Sequence, residues 1–327
     1  MQEAKYFKQN LNNALTCLLC PHYCKILPGE SGKCRSRTNV KGKLFADNYS
    51  QTVTVSLDPI EKKPLYHFYP GSQILSVGSN SCNLSCDFCQ NYSISQMKTA
   101  TKTLTPAMLT ELCLKNNFKY VAYTYTEPIT WFEFVLDSAK LLKENSIRTV
   151  IVSNGFINPE PLAELLPNID AMNIDLKSMN DNFYKSICGA SVKPVLETIK
   201  TVSEHCHLEI TNLLITGEND SVENIASLTD FIADVNPEIP LHLSKYYPTY
   251  KRNNPATPLT VLEKALDIAS EKLKYVYLGN VLSSKTTYCP NCRAALISRE
   301  YETEIMLTDD KCPKCELKIY GRFSNEK

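Results

Sequence analysis

The sequence predicts an α/β protein: a parallel sheet covered by helices, open or closed into a barrel, between two cysteine-rich segments. Three observations carry this. Short apolar runs alternate with amphipathic helical stretches from residue 73 to residue 280. Several of those stretches open on capping residues or an early proline. The 14 cysteines gather mainly at 17–34, 82–89 and 289–315.

The runs are 74–77, 120–125, 148–152, 171–176, 208–215, 241–244 and 275–278. Helices are predicted near 105–116, 129–144, 159–166, 193–204, 221–235 and 259–272, with start signals at Thr105-Pro106, Asn158-Pro159, Ser221 and Thr260. Strand–helix alternation on this scale implies parallel pairing with both sheet faces covered. The expected division is a cysteine-rich module and connector over 1–70, the α/β core over 71–285 and a short tail over 286–327. Cys113, Cys188 and Cys206 stand alone and read as packing residues.

Lys plus Arg and Asp plus Glu both number 35, so no net field draws the chain to nucleic acid or an anionic membrane. No apolar leader or membrane span is seen, which predicts a cytoplasmic protein with reduced thiols. So many cysteines in that setting point to metal rather than disulfides.

Polar groups fall where the strands end. SCNLSCDFCQ (81–90) follows the first run, TEP (126–128) the second, SNG (153–155) the third and DLK (175–177) the fourth. TGEND (216–220) and KYY (245–247) follow the next two. Carboxyl ends of parallel strands form the reactive face of such folds. Cys82, Cys86 and Cys89 have the softness and spacing to hold three corners of a [4Fe–4S] cube, leaving one iron for an external chelate. Zinc on three thiolates is the structural alternative.

This Cys-x3-Cys-x2-Cys loop, with Phe88 before its last cysteine, resembles the radical S-adenosylmethionine (SAM) superfamily. The resemblance implies an incomplete (β/α)6-type TIM barrel in which SAM chelates the open iron. Reductive cleavage of SAM then yields a 5′-deoxyadenosyl radical that takes hydrogen from a substrate. It further implies that Glu127 accepts from the SAM ammonium group and that Ser153 and Asn154 contact its ribose and carboxylate. Thr124-Tyr125-Thr126 stands where two glycines commonly precede that glutamate. DLK resembles the segment of glycyl-radical-enzyme activases, so Asp175 and Lys177 lie near the SAM carboxylate, with Phe88 near adenine. No catalytic side chain beyond the cluster and SAM site is assigned.

Longer stretches resemble the AmmeMemoRadiSam branch: CLLCPHYCKILPGESGKC (17–34), DPIEKKPLYHFYPGS (58–72), CNLSCDFCQNYSISQ (82–96), YTYTEPITWFEF (123–134) and NLLITGEND (212–220). That likeness implies Memo-like and AMMECR-like partners and leaves the substrate open. A reductant of the flavodoxin or ferredoxin class is also expected.

Cys289, Cys292, Cys312 and Cys315 form paired CPxC knuckles and predict a zinc ribbon, with Arg293 and Glu316 where knuckles often carry glycine. Four thiolates close a zinc shell and make it a folding staple. Cys17, Cys20, Cys24 and Cys34 fit neither ferredoxin spacing, and His22 is a spare ligand. Zinc is the expected metal there, with a second iron–sulfur cluster as the rival. Residues 25–43 hold six basic residues against Glu30, either a solvated face or a dock for an acidic electron donor. Lys62, Lys63 and His67 read as surface residues of an extended connector, whose likeness to the branch also implies an unassigned role at the barrel mouth, and His242 as a core histidine. The competing classes are a glycyl-radical-enzyme activase and a non-catalytic zinc or iron–sulfur binding protein.

Overall fold

The computed structural model describes residues 2–300 and 302–323. At its centre eight strands lie side by side in chain order. The first, β1 (Thr54–Pro59), runs antiparallel to β2 (Gln73–Gly78). Then follow β3 (Tyr120–Tyr123), β4 (Arg148–Ser153), β5 (Ala171–Asp175), β6 (His207–Leu214), β7 (Leu241–Lys245) and β8 (Val276–Gly279). Each is parallel to the strand before it. The helices are α1 (Pro106–Asn116), α2 (Phe132–Glu144), α3 (Pro159–Leu165), α4 (Lys193–Ser203), α5 (Val222–Val235) and α6 (Leu259–Ser270).

The seven apolar runs are β2 to β8, and the six helical stretches are α1 to α6. Thr105 and Ser221 cap as expected, their hydroxyls accepting from Met108 N and Asn224 N at 3.2 Å. Asn158 does not cap by its side chain but donates to Leu18 O at 2.7 Å, tying α3 to the amino-terminal segment. Thr260 lies inside α6, which begins at Leu259 after Pro258. β1 was not foreseen, because TVSLDP is an edge strand whose sole buried residue is the polar Asp58, and it leads into a proline-rich run.

The amino-terminal segment forms two small antiparallel sheets, one of Gln2–Glu3, Lys43–Ala46 and Arg37–Val40, the other of Phe7–Gln9, Leu15–Cys17 and Lys25–Ile26. Its anchor is Arg37, 1 % exposed, which bonds Lys5 O at 2.7 Å and pairs with Glu133 of α2, 3 % exposed. Of the six basic residues of this stretch only Arg37 is buried, and the other five remain exposed. Arg37 is internal, Arg35 donates to Ser95 O at 2.5 Å and Lys33 to Gly189 O at 2.6 Å.

The connector is not on the surface. His67 is fully buried, one ring nitrogen 2.7 Å from Tyr277 Oη and the other 2.6 Å from Tyr320 O, which joins β8 to the tail. Burial pushes its pKa down to about 3, so it is neutral. Lys63, also buried, pairs with Asp58 at 2.9 Å; Lys62 remains exposed. His242 is a satisfied core residue, 2.7 Å from Glu209 on β6, and His207 lies 3.0 Å from the same carboxylate. Among the described residues, no helix is long and apolar enough to cross a membrane.

Breaking the Arg37–Glu133 pair from one side leaves a buried charge without its partner. Glu133→Ala is expected to cost about 3–5 kcal/mol. Arg37→Met/Glu133→Leu is expected to recover most of that loss, as read from urea denaturation midpoints.

Candidate active site

The expected residues converge. Cys82, Cys86, Phe88, Cys89, Glu127, Ser153, Asn154, Asp175 and Lys177 line one cavity of about 370 Å³. Residues beyond or within the later strands, among them Thr211, Ser244 and Asn280, complete it, so the sheet curves around this space. The volume lies in the ordinary range of small-molecule sites.

The cysteine loop, 82–89, has no regular structure of its own and is held by distant chain. Arg252, beyond β7, grips Asp87 with two parallel bonds at 2.8 and 2.7 Å and also pairs with Glu218 of TGEND. Lys251 N donates to Asp87 O at 3.0 Å and Ser85 N to Cys188 O at 2.9 Å. Downstream, the one-turn helix Tyr92–Ser95 returns to the loop, where Ser81 N donates to Ile94 O at 3.1 Å and Gln96 to Leu84 O at 3.0 Å. Gly78 ends β2 because any side chain there would meet Thr124 O, 2.6 Å from an ideal Cβ.

Glu127 is the hub of the β3 and β4 ends. Its carboxylate, 2 % exposed, accepts from Ser153 Oγ at 2.7 Å, Asn154 N at 2.8 Å and Ile129 N at 3.1 Å. Burial lifts its pKa to about 7 against those stabilising bonds. Tyr125 takes φ +70°, the left-handed conformation that glycine adopts freely. Its hydroxyl donates to Asp58 at 2.5 Å and Lys63 lies 4.5 Å from its ring centre, so the connector holds the strained residue in place.

At the end of β5, Lys177 pairs with Asp175 at 3.0 Å and lies 5.8 Å from the Phe88 ring centre. Burial opposes its charge, but the Asp175 carboxylate together with the Cys86, Cys188 and Tyr184 side chains outweighs this and raises its pKa. Asn219 fixes the segment by donating to Lys177 O at 2.6 Å. Adjacent strands are in step here: Ser153 pairs with Ile174 and Asp175 with Thr211.

Sequence reasoning missed Asn83, Asp87, Arg252 and Cys188. Asn83 donates to Phe156 O at 2.8 Å and accepts from Asn154 Nδ2 at 2.9 Å, with that amide 3.7 Å from Cys82 Sγ. Cys188 is fully buried, as a packing residue is, and its carbonyl also accepts from Ser85 N at 2.9 Å and so supports the cluster loop. No local signal marks Arg252, which lies 165 residues from Asp87.

The tail brings the sulfurs of Cys289, Cys292, Cys312 and Cys315 within 4.8 Å of one another. Each knuckle closes alike, Arg293 N on Cys289 O and Glu316 N on Cys312 O at 2.9 Å, and both residues take φ +59°. The missing glycines thus leave the knuckle backbone intact. These four residues suit one metal ion.

The radical SAM superfamily model matches residues 76–229, so the region that carries the cluster loop and the strand ends is a radical SAM domain. It is 40 % identical to an uncharacterised protein of Methanocaldococcus jannaschii over 97 % of both chains. It is 27 % identical to the pyruvate formate-lyase-activating enzyme of Clostridium pasteurianum, covering 62 % of this chain and 88 % of that one. Streptococcus suis SuiB bound to S-adenosylmethionine shares the fold at a TM-score of 0.51 and 16 % identity, over 67 % of this chain and 52 % of that one. A radical SAM domain implies an enzyme that uses a [4Fe–4S] cluster and SAM. The three thiols facing a cavity ringed by ionic and amide groups fit that pair of cofactors.

Glu127 supplies a pH test. Burial lifts its folded pKa to about 7 from the ordinary 4.5, so the folded state holds the proton more tightly. Ligand-free stability is present below pH 4.5 and is lost as pH rises to about 7, by about 3 kcal/mol. Glu127→Gln is expected to remove that slope in urea titrations at successive pH values.

Proposed function

We propose that the chain cleaves SAM reductively and uses the resulting 5′-deoxyadenosyl radical to take hydrogen from a substrate. The observation that carries this reading is the convergence of the cysteine loop and four strand ends on one cavity. Cys82, Cys86 and Cys89 would hold a [4Fe–4S] cluster, which would supply the electron for reductive cleavage of SAM.

The protein's own groups would do the rest. Glu127 orients Ser153 and Asn154, and with them receives the amino and ribose groups of SAM. Asp175 and Lys177 provide a charged pair for its carboxylate end, and Phe88 an apolar face for adenine. Arg252 keeps the loop in place through Asp87. A soluble one-electron donor of the flavodoxin or ferredoxin class, cytoplasmic location and zinc in the tail belong to the same reading, as do the AmmeMemoRadiSam assignment and its Memo-like and AMMECR-like partners.

Activation of a glycyl-radical enzyme is the second reading, favoured by the likeness to the C. pasteurianum activating enzyme. There the hydrogen would come from a partner's backbone glycine. A purely binding role is disfavoured by the cost of burying Glu127 and Lys177 without chemistry to use them.

Anaerobically reconstituted protein with dithionite is expected to convert SAM to 5′-deoxyadenosine and methionine. Cys86→Ala is expected to abolish this, measured by chromatography of the products. Undiminished turnover in that variant would overturn the assignment of the loop.

A further inference from the structure

Three cysteine groups in one chain allow an internal comparison. In the tail, the Cys289–Cys315 and Cys292–Cys312 sulfurs lie 3.5 Å apart. That is one-ion spacing, since tetrahedral bonds of about 2.3 Å put sulfurs about 3.8 Å apart. Among the described residues, this is the sole group of three or more His, Cys, Asp or Glu whose ligand atoms all lie within 4.8 Å of one another. The amino-terminal cysteines are therefore more widely spread, as are the three of the cluster loop.

Spread alone does not define a site, but these four cysteines line a single cavity. Water-sized spheres fit within it over about 10 Å³. A one-ion shell has no such interior, because sulfurs about 2.3 Å from the centre exclude water. A cube places each thiolate on a different iron, which spreads the sulfurs and needs the space between them.

The surroundings favour an anionic, all-sulfur centre. Arg37 lines the cavity while buried, and its Nε has no hydrogen-bond partner among the described residues. Lys33 N donates to Cys24 Sγ at 3.4 Å and Ser36 Oγ to Cys34 Sγ at 3.3 Å. His22 is not a spare ligand through Nε2, which is 2.7 Å from Asn83 O.

We propose that Cys17, Cys20, Cys24 and Cys34 hold a second [4Fe–4S] cluster, fully ligated by protein, rather than zinc. It would sit against the first. Ser81 Oγ donates to Cys34 O at 2.7 Å, and Asn83, next to Cys82, lines the amino-terminal cavity. With every iron ligated it offers no place for substrate, but it accepts one electron from a ferredoxin-class donor and passes it to the neighbouring cluster. The donor is oxidised by one electron and the first cluster reduced by one.

The ligand assignment does not rest on SAM cleavage, so the two readings can fail separately. Full-length protein reconstituted anaerobically with iron, sulfide and zinc is expected to hold about eight irons and about one zinc. Cys82→Ala/Cys86→Ala/Cys89→Ala is expected to keep about four irons and, when reduced, a paramagnetic resonance signal that SAM does not alter. Cys17→Ser/Cys20→Ser is expected to lose about half the iron and keep a SAM-sensitive signal. The reduced wild type should show spin coupling absent from both variants. About four irons and two zincs in the wild type, or zinc alone in the triple variant, would overturn the proposal; the wild-type count holds even if a variant misfolds.

Discussion

Everything at the active face depends on holding three thiolates apart on a loop that cannot hold itself. Residues 82–89 form no helix or strand, so their positions come from long-range bonds. The Asp87–Arg252 pair is the strongest of these, charge-assisted, bidentate and only part exposed. Its partner sits beyond β7, so the loop that follows the second strand is fixed by one that follows the seventh. Opposite ends of the sheet are thereby tied across the cavity mouth, and the reach of Arg252 also takes in Glu218 beyond β6.

The strand-and-helix framework was legible in the sequence because its signals are local. ILSV, RTVIV and AMNIDL are buried runs of strand length between amphipathic helices, and the prediction needed nothing else. The site residues were legible for a related reason: chemistry at strand ends sits next to strong apolar runs. What was hidden depends on distance. His67 looked like a surface residue because its partners Tyr277 and Tyr320 lie far along the chain, and Lys63 because its burial against the Tyr125 ring cannot be inferred from neighbours. Arg37 looked like one charge in a basic patch because Glu133 is 96 residues away. Thr260 was misjudged by one residue because Pro258 already directs the chain into α6.

Positions lacking an expected glycine carry a different lesson. Tyr125, Arg293 and Glu316 all hold positive φ, which costs a residue with a Cβ about 1–2 kcal/mol. Tyr125 recovers this through a ring locked by Asp58 and Lys63. Arg293 and Glu316 recover it through knuckle hydrogen bonds that any bound metal would reinforce. A motif's residue types can therefore drift while the backbone shape persists, provided something nearby supports it.

Two buried carboxylates show how the sheet separates its structural end from its reactive one. Glu209, in the amino half of β6, meets opposing forces: burial favours its proton, but hydrogen bonds from His207 and His242 win and hold its pKa well below the usual range. Backbone N–H groups of Tyr66 and His67 fill its remaining lone pairs at 2.9 and 2.7 Å. Its oxygens are met by hydrogen bonds on all sides and its surroundings are closed, as suits a joint between sheet and connector. Glu127 is as deeply buried, yet its hydrogen-bond donors are a hydroxyl and two backbone amides, and burial prevails. The nearby cation of the cavity, Lys177, is already spent on Asp175. A ligand that brings its own ammonium group would favour the ionised carboxylate, so the free energy withheld from the empty fold becomes available to binding. The fold invests its imidazoles where rigidity is needed and leaves Glu127 dependent on what enters the cavity.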